Sequence, residues 1–216
     1  MSNMLTSSIG KKFIMSITGL FLVCFLLVHL TMNAMLLFGE ETFNEAAHFM
    51  QNNPIMKVLE PILGVGFIIH IIYSSYITLR NQGARPVKYK KIDRTKSTTW
   101  PSRNMYILGF LVLIFLVIHL MNYFYKIKFG DMEGMNDYTL VTTLFSKWYY
   151  VVIYLLGFIF LGLHLNHAFQ SAFHTLGWNS LIWMPRLKVI SSLYAIVVAV
   201  GFSVIALYFF IIEFIK

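Results

Sequence analysis

Histidines inside long apolar segments are the residues of this chain best suited to do chemistry. Four of the five segments carry one in their interior, namely His29, His70, His119 and His164 in chain order, whereas the fifth carries none. An ionisable side chain within a bilayer is costly and usually functional. A neutral imidazole can bind haem iron through one ring nitrogen while the other nitrogen bonds to a neighbour. Four helices with one such imidazole each match the requirement of two bis-histidine haems.

The polar ends of the segments give each histidine a depth. His29 and His119 lie 17 and 16 residues from the basic residues at the inner ends of their segments, whereas His70 and His164 each lie 10 residues from the inner end. At about 1.5 Å per residue, the two levels differ by roughly 10 Å. We therefore expect an outer pair, His29 with His119, and an inner pair, His70 with His164. Two imidazoles saturate a haem iron, which makes it an electron carrier.

Alternatives to iron ligation remain at this point. A histidine in a membrane helix can simply hydrogen-bond a neighbouring helix. His167 follows His164 by three residues, lies on a similar face and could be the ligand instead. A weak repeat supports ligation, because Gly19 and Gly109 each precede the outer histidine of their own segment by ten residues. Such a repeat is expected when two helices meet the same kind of ligand from opposite sides.

The elements that must position these histidines are membrane-spanning helices. The chain has 216 residues, of which 58% are hydrophobic and 12% charged, a composition typical of a membrane-embedded bundle. We expect spans at about 13–38, 58–79, 105–125, 148–173 and 190–214, all within one domain, residues 1–216. The first span is too long for a signal peptide, so we expect a retained helix.

The expected architecture is an all-α integral membrane protein with a four-helix haem-binding bundle and a fifth helix packed outside it. Continuous apolar runs without alternation argue against a β-barrel. A short amphipathic helix is expected at about 42–50, on the outer surface.

Charge is distributed unevenly along the chain, whose formal net charge is +8. Basic residues concentrate between spans two and three and after span four: Arg80, Arg85, Lys88, Lys90, Lys91, Arg94, Lys96, Arg103, Arg186 and Lys188. The positive-inside rule then places the N-terminus in the cytoplasm and the C-terminus outside. This distribution argues against nucleic acid as a partner. The basic face fits either anionic lipid headgroups or a docked soluble partner.

Three stretches carry a family resemblance: VHLTMNAMLLFGEETFNEAAHFM, IIHIIYSSYI and HLNHAFQSAFHTLGW. With them the chain resembles, over nearly its whole length, the single-subunit, five-helix, di-haem cytochrome b anchors of succinate:quinone oxidoreductases and quinol:fumarate reductases. The resemblance implies that His29 and His119 bind the outer haem b, that His70 and His164 bind the inner one, and that His164 is favoured over His167.

The resemblance also implies partners and a location. An iron–sulfur subunit would dock on the basic cytoplasmic face, with an FAD-bearing flavoprotein beyond it, at the inner membrane of a bacterium. Succinate or fumarate chemistry would take place on the flavoprotein and not on this chain. Quinone, often menaquinone in this family, would react near the outer haem. Some fumarate reductase anchors have a glutamate two residues before the span-four ligand; Gly162 stands there instead, which puts that proton path in doubt.

Candidate quinone-site residues are Glu60, Asn33 and Asn122, because quinone chemistry needs an apolar slot with a polar group at the carbonyl oxygens. Glu60 can equally be an interfacial carboxylate, and the asparagines can equally join helices. Two other functions remain open: a di-haem cytochrome b of a hydrogenase or formate dehydrogenase, and a transporter using histidines as proton relays or metal ligands. The lack of intramembrane carboxylates near the histidines counts against a transporter.

Overall fold

The structure, a computed structural model, describes residues 7–83, 100–130, 132 and 134–215. Within these ranges the chain forms α-helices and no strand: α1 Ser8–Ala34, α2 Glu40–Asn52, α3 Pro54–Gly83, α4 Trp100–Arg103, α5 Met105–Asn122, α6 Phe124–Phe129, α7 Asp137–Phe145, α8 Trp148–Thr175 and α9 Trp183–Ile215. A 3₁₀ turn, Met35–Phe38, follows α1. Most of the basic segment lies outside the described residues: Arg85, Lys88, Lys90, Lys91, Arg94 and Lys96.

Five helical stretches in the described part are long and apolar enough to cross a membrane: Ser8–Phe38, Pro54–Asn81, Met105–Phe129, Trp148–Thr175 and Trp183–Ile215. Each contains one predicted span, so the all-α, multi-pass membrane fold is confirmed. The predicted surface helix at about 42–50 lies within α2, Glu40–Asn52. Arg186 and Lys188, expected in the loop after span four, lie in the first two turns of α9 because that helix already begins at Trp183.

The boundary between α2 and α3 follows from two residues. The Asn53 side-chain oxygen accepts the backbone N–H of Ile55 at 2.9 Å, which satisfies a donor that the start of a helix leaves unpaired. Pro54 occupies the first position of α3, where its missing N–H costs nothing and its fixed φ suits a helix. The chain can therefore turn sharply from the surface helix into the second span.

Four helices form the bundle that holds the histidines. α1 packs on α3 and α8, and α5 packs on α8 and, less extensively, on α3. This order around the bundle places α1 opposite α5 and α3 opposite α8. α9 lies beside the bundle and packs mainly on α8, with a smaller contact to α1. A Cβ built on Gly162 of α8 would lie 3.0 Å from the Ala199 Cβ of α9, so the missing side chain permits this close approach.

The helices α2 and α7 form a cap at the end of the bundle nearest His29 and His119. Three hydrogen bonds join them: Asn136 Nδ2 to Glu40 Oε1 at 2.6 Å, Gln51 Nε2 to Asp137 Oδ2 at 2.7 Å, and the Tyr138 N–H to Asn44 Oδ1 at 3.1 Å. Buried Phe43 and Leu144 belong to the same core as α8 and α9. The cap therefore ties α2 and α7 to the ends of the spans that lie nearest His29 and His119.

Candidate haem centres

The outer centre consists of His29 on α1 and His119 on α5, which face each other across the bundle. Their ring centroids are 5.7 Å apart with an interplanar angle of 88°. A metal–imidazole bond is about 2 Å long, so two imidazoles on opposite sides of one iron have ring centroids roughly 6 Å apart. The backbones of α1 and α5 therefore hold the two side chains at the spacing that a bis-histidine iron requires.

Aromatic side chains surround the outer pair. The contacts to His29 come from Phe25 at 5.3 Å and Phe202 at 5.6 Å, and those to His119 from Phe115 at 6.1 Å, Tyr123 at 5.2 Å and Tyr154 at 6.2 Å, all between ring centroids. Phe202 belongs to α9, so the fifth helix, which carries no histidine, still supplies one wall of this centre. Sequence reasoning had assigned it only a packing role.

Polar groups lie on the outer side of the same centre. The Asn33 amide donates to the His29 carbonyl at 2.8 Å and lies 3.5 Å from His29 Nε2. Asn122 is buried, and its amide donates to the Tyr154 hydroxyl at 3.1 Å. The buried Tyr123 hydroxyl has no hydrogen bond of good geometry within the described part of the chain. Two of the three candidate quinone-site residues therefore lie beside the outer pair.

Glu60, the third candidate, lies elsewhere. Its carboxylate accepts a hydrogen bond from Lys128 Nζ at 2.9 Å, and the two side chains are 44% and 39% exposed. This ion pair joins the outer ends of α3 and α6 at the surface of the molecule. Glu60 is thus placed at the edge of the outer end and not in contact with the histidine pair.

The inner centre consists of His70 on α3 and His164 on α8, which occupy the other diagonal of the bundle. The two imidazoles are close enough to interact electrostatically. His70 lies against α1, with its Nδ1 3.5 Å from the Thr18 hydroxyl. A Cβ built on Gly19 would lie 3.2 Å from His70 Cε1, and one built on Gly109 of α5 would lie 3.5 Å from His164 Cε1. Each inner histidine therefore sits against a glycine of the neighbouring helix.

These glycine contacts fix the depth of the inner pair. Gly19 and Gly109 each precede the outer histidine of their own helix by ten residues. At about 1.5 Å per residue, the inner pair lies about 15 Å from the outer pair along the helix axes. The loop charges had indicated a separation of roughly 10 Å. The two values differ because charged residues mark the membrane edge only approximately. Both inner histidines have the same offset, so they share one depth.

The unbonded ring nitrogens suit metal ligation better than helix–helix hydrogen bonding. The Nδ1 atoms of His164 and His167 are buried and make no hydrogen bond to any described residue. His164 Nδ1 therefore has no described partner on a neighbouring helix, as a purely helix-joining role of this nitrogen would require. His167 is close enough to His164 to interact with it electrostatically and stays the alternative ligand. A Cβ built on Gly109 would meet His164 and no atom of His167, which favours His164 as the ligand.

The number of protein ligands at each centre also suits haem. Residues 7–83, 100–130, 132 and 134–215 contain no cluster of three or more His, Cys, Asp or Glu side chains that could hold a metal ion by themselves. A haem iron receives most of its ligands from the porphyrin and needs only two from the protein. Two histidine pairs on opposite helices, with aromatic walls at one level and glycines at the other, meet that requirement.

Sequence reasoning missed several residues of these centres. Phe202, Tyr123 and Tyr154 gave no separate signal among many aromatic residues of the spans. Gly109 and Gly19 did give one, in their repeated spacing to the outer histidines, although the repeat did not reveal that both glycines face the inner pair. The structure thus assigns the repeat to the inner centre.

Comparison with known proteins supports the resemblance that the motifs indicate. The chain is 25% identical over 187 residues to the succinate dehydrogenase cytochrome b558 subunit of Bacillus subtilis (strain 168), a match that covers 85% of each chain. No family model and no solved structure matches this chain.

Proposed function

We propose that this chain is the di-haem cytochrome b anchor of a succinate dehydrogenase or fumarate reductase. It passes electrons between a cytoplasmic iron–sulfur and flavoprotein pair and quinone in the membrane. The observation that carries the proposal is the arrangement of two histidine pairs on the two diagonals of one bundle, with His29 and His119 5.7 Å apart between ring centroids. The similarity to a succinate dehydrogenase cytochrome subunit supports the same role.

The residues of this chain would hold and insulate the two haems. Haem b, when bound, takes up and releases one electron at a time. His29 and His119 would bind the outer haem, and His70 and His164 the inner one. The backbones of α1 and α5 fix the separation of the outer ligands, and the aromatic rings around His29 and His119 would keep water from them.

We place the quinone site on the outer side of the outer pair. Asn33 and Asn122 supply amide groups there, and Tyr154 adds a hydroxyl beside the His119 ring. Amide N–H and phenol O–H groups can donate to the carbonyl oxygens of a quinone such as menaquinone. Glu60, at the exposed edge of this end, would exchange protons with the outer solvent.

The inner end of the bundle is the proposed docking face for the iron–sulfur subunit, with the flavoprotein and its FAD beyond it. The described basic residues of that face are Lys11, Lys12, Arg80, Arg103, Arg186 and Lys188. Lys11 donates to the Tyr76 hydroxyl at 3.1 Å, which joins the inner ends of α1 and α3. We place the N-terminus in the cytoplasm and the C-terminus outside, in the inner membrane of a bacterium.

Purification of the complex in mild detergent tests the proposal. We expect reduced-minus-oxidised spectra of low-spin haem b, about two haems per chain, and a co-purifying flavin-bearing partner. A co-purifying nickel or molybdenum enzyme would instead identify a hydrogenase or formate dehydrogenase cytochrome. A clean, haem-free preparation that supports proton- or metal-coupled uptake in vesicles would identify a transporter.

Substitution of the amides tests the quinone site. Asn33→Leu and Asn122→Leu should each raise the KM for quinone by about tenfold, the cost of one hydrogen bond, while both haems remain. Asn166→Leu is the matched control, because this span-four asparagine bonds to Ser192 on α9 at 2.8 Å and lies at the inner level. An equal KM in all three variants would place the quinone elsewhere.

A further inference from the structure

We propose that Gly19 and Gly109 are clearance residues of the inner haem site, positions where a side chain would obstruct the porphyrin. The inference rests on the proposed di-haem function and deepens it. It assigns a role to two residues that are not ligands and that lie on the two helices carrying the outer ligands.

The contacts of both glycines point to the same site. A Cβ on Gly19 would lie 3.2 Å from Cε1 and 3.5 Å from Nδ1 of His70. A Cβ on Gly109 would lie 3.5 Å and 3.7 Å from the same atoms of His164. The two glycines come from opposite helices, yet each faces an inner histidine. Among the described glycines, these are the two whose added Cβ would meet a histidine.

The geometry of axial ligation explains why the room is needed there. A haem held between His70 on α3 and His164 on α8 would extend sideways towards the other diagonal of the bundle. That diagonal consists of α1 and α5. At the depth of His70 and His164, these two helices carry Gly19 and Gly109. The backbone surface of each glycine therefore lies where a ring edge must fit.

Other glycines of the spans have different surroundings. Gly162 and Gly201 adjoin Ala199 and Leu30, which are contacts of α9 with its neighbours. A Cβ on Gly64 of α3 would have no described atom within 4 Å. Helix packing accounts for the first two, whereas nothing described restricts the size of residue 64. Gly64 is therefore the matched control for a substitution inside a membrane span.

The test compares the variants Gly19→Leu, Gly109→Leu and Gly64→Leu in the purified complex. We expect Gly19→Leu and Gly109→Leu to reduce the haem content from about two to about one per chain. The component lost should be the spectral component that His70→Ala removes, and the one retained should be the component that His119→Ala removes. Gly64→Leu should keep both haems.

Alanine variants keep the test decisive if the leucine variants do not fold. Alanine is a better helix former than glycine, so Gly19→Ala should leave the elution profile and thermal unfolding intact. Its Cβ should still lower the occupancy or shift the midpoint potential of the inner haem. Full occupancy with unchanged potentials in Gly19→Ala would overturn the inference, as would two haems in the leucine variants. Gly109→Ala should keep both haems, because its Cβ would stand at an ordinary contact distance of 3.5 Å from His164.

The wild-type protein separates failure of this inference from failure of the proposed function. Two haems in the wild type together with two haems in every glycine variant would reject the clearance role and leave the di-haem anchor intact. A wild-type complex without haem would reject the proposed function and the inference with it.

Discussion

The outer and inner histidine pairs belong to one bundle but lie in different surroundings. Five aromatic rings crowd the outer pair, and α9 contributes one of them: Phe25, Phe115, Tyr123, Tyr154 and Phe202. The inner pair instead lies against two glycines. The outer centre is thus shaped by large aromatic side chains and the inner centre by glycines, which have no side chain.

The difference matches the different tasks that the proposed function gives the two ends. Amide and phenol groups adjoin the outer pair, where a quinone must be held and protonated. The inner pair needs only to pass electrons to and from a docked partner. The inner pair has the Thr18 hydroxyl beside His70 and one glycine against each imidazole, an arrangement that suits that simpler task.

The largest expected effect is the loss of one haem from one level. His119→Ala should remove the outer haem, and His164→Ala the inner one, because one remaining axial imidazole does not hold a low-spin haem b firmly. Spectra and haem content measure both changes, and His167→Ala is the control that should keep both haems. Loss of the inner haem in His119→Ala would contradict the assignment of His119 to the outer haem. Loss of a haem in His167→Ala would indicate that His167, and not His164, is the fourth ligand.

A smaller effect is expected from the aromatic wall that α9 supplies. Phe202→Ala should destabilise the protein by about 3–5 kcal/mol, as for large-to-small changes in other packed cores, and shift the potential of the outer haem only. Thermal unfolding and a redox titration measure the two effects. Phe169→Ala, which removes a ring stacked on Tyr194 at 5.4 Å, should lower stability without touching the outer haem. Equal redox shifts in both variants would contradict the local role of Phe202.

Removal of a single hydroxyl should have a still smaller effect. Tyr154→Phe leaves the buried Asn122 amide without its acceptor at 3.1 Å, a loss of about 1–2 kcal/mol in a membrane protein. The midpoint potential of the outer haem should shift, and that of the inner haem should not. Chemical unfolding in detergent and separate titration of the two haems measure this. An unchanged outer haem, with Asn122→Leu equally silent, would show that this polar pair serves the helix contact alone.

The smallest effect is expected at the exposed ion pair. Glu60→Gln should change stability by less than about 1 kcal/mol, because the pair with Lys128 is largely solvated and screened by salt. Both haems should remain. Quinone turnover then decides the role of Glu60: a large drop in Glu60→Gln, absent in Lys128→Met, supports proton exchange, and equal turnover in the two variants removes Glu60 from the quinone site.

Much of this architecture could be predicted from sequence because its signals are long or countable. Apolar runs of membrane-spanning length predicted the five spans, and one histidine per span predicted the pairs. The contacts of Gly19 and Phe202 could not be predicted, because they depend on how far each helix is rotated about its axis. Helix α7 was missed although Leu140, Val141, Leu144 and Phe145 have helical spacing, because the pattern covers only nine residues beside a long apolar span.

One hydrogen bond between the first and the last span can form only after the last span has been synthesised. The Tyr194 hydroxyl of α9 donates to the Val23 carbonyl of α1, although 171 positions separate the two residues. At ribosomal speeds of about 5–20 residues per second, roughly 10–30 seconds pass between their synthesis. During that interval α1 waits in the membrane without Tyr194 and without the Phe202 wall beside His29. Under the proposed function, the site of the outer haem is therefore complete only after α9 has been synthesised, because Phe202 forms one of its walls.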